Sequence, residues 1–170
     1  MRQLILMRHA KAETAAGAGD HARPLSPRGR AEAAEAGRRV AARARPDFAL
    51  VSDSLRTRQT LDGSSAAFDT GLPHRATGVL YAATADAILR EVRATADAVA
   101  SLLVIGHNPG IADLARRLAG RGAAHDLARL ARVFPTSCFA VIHLDAPRWE
   151  DAGPPGELTF LLPADERSGA

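Results

Sequence analysis

Residues 3–9 read QLILMRH and residues 102–107 read LLVIGH, two short apolar runs that each end in a histidine. Each run is rich in residues that suit a strand buried on both faces. In an open parallel sheet, functional groups gather beyond the carboxyl ends of the strands, where the strand order reverses. If these two strands are neighbours, Arg8, His9 and His107 meet in one pocket. An arginine beside two imidazoles is a combination suited to handling phosphate.

Strand-like and helix-like segments alternate along the chain, which predicts a three-layer α/β/α sandwich with a largely parallel central sheet. A short Pro- and Gly-rich stretch joins the last two strands, so we expect an antiparallel hairpin near one edge of the sheet. The predicted domain covers residues 1–163, followed by a frayed tail at 164–170. The predicted strands are 3–8, 48–52, 74–80, 102–105, 138–144 and 158–162, and the predicted helices are 27–45, 55–68, 86–98 and 109–119, with 121–135 irregular or partly helical. Ser26 and Pro27 predict the cap and the first position of the first helix.

Composition narrows the class of protein. The 170 residues are 46% hydrophobic, which is typical of one globular domain. No apolar run approaches the ~20 residues that a membrane span needs, and the N-terminus has no recognisable signal peptide. Cys138 is the only cysteine in the sequence. We therefore expect a cytoplasmic protein, with Cys138 as a small core residue on a late strand.

Charge patterning and histidine spacing argue against nucleic-acid binding and against a metal centre. The formal net charge is +3, but arginines alternate with Asp and Glu, and aromatic residues make up only 4% of the chain. Nucleic-acid binding proteins usually show a basic stripe with aromatic platforms. The six histidines have no ligand spacing, and the sequence has no HExxH motif, cysteine cluster or Walker loop. We expect no metal, no cofactor, no nucleic acid and no membrane partner.

Two further segments follow predicted strands and carry groups that bind anions. Arg56 falls near the start of a helix, where its guanidinium and the helix N-terminus would both favour an anion. Gly106 permits close backbone approach, and Asn108 and Pro109 predict a helix start with free N–H groups. Read alone, each segment is explained by surface charge or by an ordinary strand–turn–helix junction. One shared phosphate site explains all of them together.

At this point the chain resembles the histidine phosphatase superfamily, which has a phosphoglycerate mutase-like fold. The family's signature is an arginine–histidine pair that ends the first strand, and Arg8 and His9 match it. Ala10 follows where most members carry glycine. Gly106 and His107 match the family's distal Gly-His pair. The resemblance extends to about residue 144 and so covers most of the chain.

A second motif of that family and two features of one branch are also present. Residues 52–60 read SDSLRTRQT and match a serine–proline motif followed by an arginine and Gln-Thr, with Asp53 in place of the proline. Residues 20–26 read DHARPLS, lead to Gly29, and resemble a segment of the small SixA-type protein-histidine phosphatases. Residues 134–137, FPTS, resemble the late Thr-Ser turn of that branch.

The resemblance implies a mechanism. His9 would attack phosphorus and form a phosphohistidine intermediate, which water then hydrolyses. Arg8, Arg56 and a cationic His107 would hold the phosphoryl oxygens. The expected substrate is phosphohistidine in another protein. A general small-molecule phosphomonoesterase, or a phosphate or phosphoprotein binding module without catalysis, are the alternatives.

The sequence does not assign a single role to Arg23, Asn108, Asp53 or Asp86. Arg23 lies in the loop between the first strand and the first helix. It could add a contact to phosphate from there, although a position on the protein surface explains it equally well. Asn108 could touch phosphate or cap its helix. No acid stands clearly after the third strand to protonate a leaving group, and Asp53 and Asp86 are the two candidates, with Asp86 suited to a helix start. An imidazole leaving group needs such an acid less than an alkoxide does, which favours a phosphorylated nitrogen as substrate.

Overall fold

The computed structural model describes residues 1–14, 17, 19–68 and 71–162. Its strands are β1 (Arg2–Arg8), β2 (Phe48–Ser52), β3 (His74–Thr77), β4 (Ser101–Gly106), β5 (Ala119–Gly122), β6 (Phe139–Leu144) and β7 (Gly156–Leu161). Its helices are α1 (Pro27–Arg43), α2 (Leu55–Ser65), α3 (Ala85–Arg93), α4 (Gly110–Leu118) and α5 (Ala124–Arg132), with short 3₁₀ turns at Gly78–Leu80 and Trp149–Asp151.

The seven strands form one sheet in the order β3-β2-β4-β1-β6-β7-β5. The two histidine-ending strands are neighbours, as the expected pocket requires: β1 and β4 pair in parallel with Arg8 opposite Gly106. β2 and β3 extend the parallel part. β6 runs antiparallel to both β1 and β7. The predicted α/β class with a largely parallel sheet is therefore correct.

Helices cover both faces of the sheet and make the three predicted layers. α1 and α2 pack against each other on one face, and α3, α4 and α5 lie on the other. The chain thus leaves β1 and β4 toward opposite faces, which opens a crevice at the carboxyl ends of these two strands. The site predicted from the sequence lies at this crevice.

Burial along β1 shows why the strand is apolar throughout. Leu4 and Leu6 pack into the core on the α3–α5 face, whereas Ile5 and Met7 pack into the core on the α1–α2 face. All four side chains are fully buried. Since successive side chains of a strand point to opposite faces, a strand covered on both sides needs apolar residues at every position.

Several predicted boundaries differ from the structure. α3 ends at Arg93 rather than at residue 98, because the following loop is held by tertiary contacts: the carboxylate of Asp97 accepts hydrogen bonds from Arg2 and from the backbone N–H of Trp149. The region 121–135 contains α5 and the end of β5, a strand that its glycine-rich sequence does not predict. β5 pairs with β7 and forms the edge, so the predicted hairpin lies one strand further in.

The structure agrees with one of the two predicted helix caps and not with the other. Ser26 caps α1 as expected, accepting a hydrogen bond from the Gly29 N–H at 3.0 Å with Pro27 at the first position. Asn108 does not cap α4, and that prediction is wrong. Pro109 occupies the cap position, and the Asn108 side-chain amide donates to the Phe134 carbonyl at 2.7 Å instead.

The remaining expectations from the sequence concern the C-terminal tail, membrane spans and Cys138. The tail predicted at residues 164–170 lies outside the described residues. Over the ranges that the structure covers, each helix is too short or too polar to cross a bilayer. Cys138 is buried immediately before β6, as expected of a small core residue.

Candidate active site

A cavity of about 200 Å³ lies at the crevice formed by the ends of β1 and β4. Six residues were expected from the sequence to attack or contact the phosphoryl group. Five of them line the cavity, and the sixth, Arg23, lies outside its lining. Tyr81 and Asp20 are lining residues that the sequence did not suggest. The full lining is Arg8, His9, Asp20, Arg56, Tyr81, Ala82, His107 and Asn108.

His9 is fixed in the tautomer that a nucleophile requires. Its Nδ1 lies 2.7 Å from the carbonyl oxygen of Ala10. A carbonyl can only accept, so Nδ1 carries the proton and Nε2 keeps its lone pair. Burial lowers the pKa of His9 to about 4; the Ala10 hydrogen bond opposes this shift, while Arg56 and Arg8 add to it. His9 is therefore neutral at pH 7.

His107 is also neutral in this structure, against the expectation of a cation. Burial lowers its pKa to about 3, and the charge of Arg56, joined in acid by that of protonated His9, acts in the same direction. Its Nδ1 accepts from Arg56 at 3.4 Å, and its Nε2 donates to the Ser52 hydroxyl at 2.8 Å. The rings of His9 and His107 lie 5.2 Å apart. A phosphoryl dianion beside His107 would favour its protonated form, since an opposite charge nearby stabilises a cation.

Arg56 projects into the cavity from the second position of α2. Its guanidinium is buried and donates to the Asp20 carbonyl at 2.6 Å and to the Asp20 carboxylate at 2.9 Å. The start of α2 adds the partial positive charge of a helix N-terminus. Arg56 therefore lies near the start of a helix, as expected, and places a permanent cation next to His107.

Asp20 connects the first loop to the cavity, and sequence reasoning missed it. Its carboxylate accepts hydrogen bonds from the Tyr81 hydroxyl at 2.6 Å, from Arg23 at 2.8 Å and from Arg56. The Tyr81 hydrogen bond, with those of Arg23 and Arg56, holds the pKa of Asp20 far below its usual range. Asp20 begins the segment that resembles the SixA branch, which was the one signal available in the sequence.

The remaining predicted residues have defined positions. Arg23 donates to Asp20 and to the Glu13 carbonyl, so it acts on the cavity through Asp20. Arg8 and Asn108 both donate to the Phe134 carbonyl, at 3.2 and 2.7 Å. The stretch that resembles the Thr-Ser turn therefore orients two lining residues.

Gln59 and Thr60 hold the loops that carry the site. The Thr60 hydroxyl accepts from the N–H of Ala10 at 3.0 Å, next to His9. The side-chain carbonyl of Gln59 accepts from the N–H of Leu25 at 2.7 Å, at the end of the first loop. α2 thus supplies Arg56 and also the two anchors that bring His9 and the Asp20 loop toward it.

Neither acid considered from the sequence lines the cavity. Asp53 lies beside it and pairs with His21 at 2.7 Å, while Asp86 pairs with Arg117 in the first turn of α3. Among the described residues, no group of three or more His, Cys, Asp or Glu side chains is placed to hold a metal ion.

Comparisons with known proteins agree with this geometry. Residues 4–77 match the family model of the histidine phosphatase superfamily (branch 1). An uncharacterized protein of Mycobacterium tuberculosis is 40% identical over 154 residues, which cover 87% of this chain and 92% of that protein.

Two solved structures are also similar to this chain. The structure named "putative phosphohistidine phosphatase SixA", from Nakamurella multipartitia, has a TM-score of 0.82 and 32% identity, with 95% of each chain covered. The protein histidine phosphatase SixA complexed with tungstate has a TM-score of 0.75 and 26% identity, covering 94% of this chain and 96% of that chain. The sequence motifs, the fold and these similarities agree, and the chain belongs to the SixA-type branch of the histidine phosphatase superfamily.

Proposed function

We propose that this phosphatase hydrolyses phosphohistidine in another protein, through a phosphohistidine intermediate on His9. The observation that carries the proposal is a neutral His9, with its Nε2 lone pair retained, in one cavity with Arg8, Arg56 and His107. A neutral imidazole attacks phosphorus without an activating base. A cytoplasmic setting, expected from the single cysteine, belongs to the same proposal.

The mechanism has two steps. In the first, Nε2 of His9 attacks the phosphorus atom in line while the bond to the leaving group breaks. In the second, water attacks the phosphorus of phosphorylated His9 and releases inorganic phosphate. Arg8 and Arg56 contribute positive charge that does not depend on pH, and His107 adds charge when the phosphoryl group favours its protonation. Positive charge held in a fixed position around the phosphoryl group provides most of the rate acceleration in enzymatic phosphoryl transfer.

Two features favour a phosphorylated nitrogen over an alkyl phosphate. The only carboxyl group that lines the cavity, within the described part of the chain, is Asp20, and it is ionised and bound to cations. An ionised carboxylate cannot protonate a departing alkoxide, whereas an imidazole leaves far more readily. The SixA proteins that this chain resembles carry the name of phosphohistidine phosphatases, in agreement with that preference.

The first prediction tests the nucleophile. During turnover of a phosphohistidine protein, acid-labile and base-stable phosphate should accumulate on His9, measured by radiolabel and peptide mapping. His9→Ala should abolish the label and all measurable hydrolysis while leaving the circular dichroism spectrum unchanged. Near-normal turnover by His9→Ala would exclude the mechanism.

A substrate panel separates the proposal from its two alternatives. It compares kcat/KM for a phosphohistidine protein, a phosphoserine peptide, sugar phosphates and an aryl phosphate. Equal rates on sugar phosphates and phosphohistidine would establish the small-molecule phosphomonoesterase instead. Phosphate binding without turnover of any compound would establish a binding module.

A further inference from the structure

His21 and Asp53 form a hydrogen-bonded pair that the mechanism above does not use. His21 Nε2 and Asp53 Oδ1 lie 2.7 Å apart, and both side chains are about half exposed, at 49% and 42%. The backbone also fixes the pair: the His21 carbonyl accepts from the N–H of Leu55, and the Asp53 N–H donates to the Thr77 carbonyl. Asp53 stands where the resembling family carries proline, so this carboxylate is a departure that the pairing with His21 accounts for.

The pair lies beside the catalytic cavity, in contact with one of its lining residues. The His21 ring packs edge-on against the Tyr81 ring, with centroids 4.8 Å apart, and Tyr81 in turn packs edge-on against His107 at 5.4 Å. His21 directly follows the lining residue Asp20. Asp53 directly follows Ser52, which accepts the hydrogen bond of His107. One aromatic ring therefore separates His21 from the phosphate-binding residues.

The position of His21 matches the place where a leaving imidazole needs a proton. In phosphohistidine one ring nitrogen is bonded to phosphorus, and the other must gain a proton for the ring to depart as neutral imidazole. That second nitrogen is on the side of the ring away from the phosphoryl group, so it faces the mouth of the cavity when the phosphoryl group is bound inside. An acid for this substrate is needed at the rim.

We propose that His21, oriented by Asp53, is the catalytic acid that protonates the far ring nitrogen of the leaving imidazole. This inference rests on the proposed function, because it assigns the proton transfer that goes with a phosphohistidine substrate. A histidine suits this role, because its ring has two nitrogens that can each carry a proton. The carboxylate of Asp53 accepts the Nε2 proton, which leaves Nδ1 as the atom that gives the second proton.

The two steps balance. In the first, the bond between His9 Nε2 and phosphorus forms and the bond between phosphorus and the leaving imidazole breaks. The released electron pair stays on that ring, whose other nitrogen takes the proton of His21 Nδ1, so that neutral imidazole departs. In the second, a water oxygen bonds to phosphorus and the His9–phosphorus bond breaks. Both water protons stay on the phosphate, so that neutral His9 and dihydrogen phosphate are released, and His21 regains its proton from solvent.

A pair of small substrates tests the assignment. N-phosphorylimidazole needs a proton on its far nitrogen, whereas the analogue methylated at that nitrogen departs as neutral N-methylimidazole and needs none. We expect His21→Asn to lower kcat/KM for N-phosphorylimidazole by about 10²-fold, the usual contribution of a general acid, and to lower it less than about threefold for the methylated analogue. Asp53→Asn should show the same selectivity with a smaller loss. Rates are corrected for spontaneous hydrolysis.

His125→Asn is the matched control, because His125 lies exposed on α5 away from the cavity lining. Full activity of this control on both substrates supports the assignment. Equal losses on both substrates in His21→Asn would show a merely structural role, and no loss on either would show that His21 takes no part; each result overturns the inference while leaving the phosphatase proposal intact. Failure of the wild-type protein to hydrolyse either substrate would count against the proposed function itself.

Discussion

The candidate site is built from neutral imidazoles held beside permanent cations. His9 and His107 lose their charge because burial and the arginines around them oppose protonation. Arg56 keeps its charge at any physiological pH and is compensated by Asp20. A phosphoryl dianion entering this cavity would therefore meet one nucleophile and donors already in position, which is the arrangement that lowers the cost of reorganisation.

Arg56 and Arg58, the two arginines in the first turns of α2, should contribute very differently to catalysis. Arg56 is buried in the cavity, whereas Arg58 is exposed and lies in a separate groove beside His74. Residues two apart on a helix do not face the same side. Arg56→Ala should lower kcat/KM by roughly two to three orders of magnitude, and Arg58→Ala by far less. Steady-state kinetics on a phosphohistidine protein measures kcat/KM for both variants. Equal losses would contradict the assignment of Arg56, rather than Arg58, to the phosphate site.

At the scale of elements, α2 organises the site more than any other helix. Its first turn carries Arg56, and its second turn holds the loop after β1 through Thr60 and the Asp20 loop through Gln59. The Gln-Thr of the motif therefore positions catalytic groups without touching the cavity. This explains why the arginine and the Gln-Thr pair occur at a fixed spacing on one helix.

Removing the Thr60 hydroxyl should loosen the His9 loop. Thr60→Val leaves the buried N–H of Ala10 without its acceptor and removes the donor to the Arg56 carbonyl. We expect a loss of roughly 1–3 kcal/mol in the free energy of unfolding, measured in urea, and a lower kcat. Thr159→Val on the exposed face of β7 is the control, with a smaller effect expected. Equal stabilities for the two variants would contradict the anchoring role.

The whole molecule places the site by topology. α1 leaves β1 toward one face and α4 leaves β4 toward the other, so that neither of these two helices covers the crevice between the ends of the strands. Side chains separated by almost 100 residues in sequence meet there, because Arg8 and Gly106 are partners across the ladder. The sheet thereby converts two local strand endings into one cavity.

Stability of the whole protein should decrease in acid because of the buried histidines. Histidine in an unfolded chain has a pKa of about 6.5, whereas the folded values are about 4 for His9 and about 3 for His107. Below about pH 6.5 the unfolded state therefore binds more protons than the folded state, and stability falls as the pH decreases toward those folded values. Denaturant unfolding between pH 7 and pH 4.5 should show this slope.

A variant can assign that slope to one residue. His107→Asn should reduce the pH dependence of the unfolding free energy by up to about one proton, because one buried histidine no longer titrates only in the unfolded state. His125→Asn should keep the wild-type slope, since His125 is exposed. An unchanged slope in His107→Asn would show that other groups cause the acid sensitivity.

The sequence by itself determined the features that short stretches encode. Continuous apolar runs specified the buried parallel strands, Ser26 with Pro27 specified the start of α1, and the positions of the histidines and of Arg8 specified which functional side chains lie at strand ends. These features depend on local backbone preference and on burial of a single segment. They could be predicted because neighbours along the chain carry all the necessary information.

Only the tertiary structure decided the features that depend on distant groups. In the sequence Asp20 is an ordinary loop residue. Its role follows only from the hydrogen bonds that Arg56 and Tyr81 donate to its carboxylate in the folded protein. Asn108 reads as a helix cap, but the Phe134 carbonyl takes its amide. The charge of His107 follows from burial and from charges brought close by folding, because the cost of a buried cation depends on surroundings that no local pattern records.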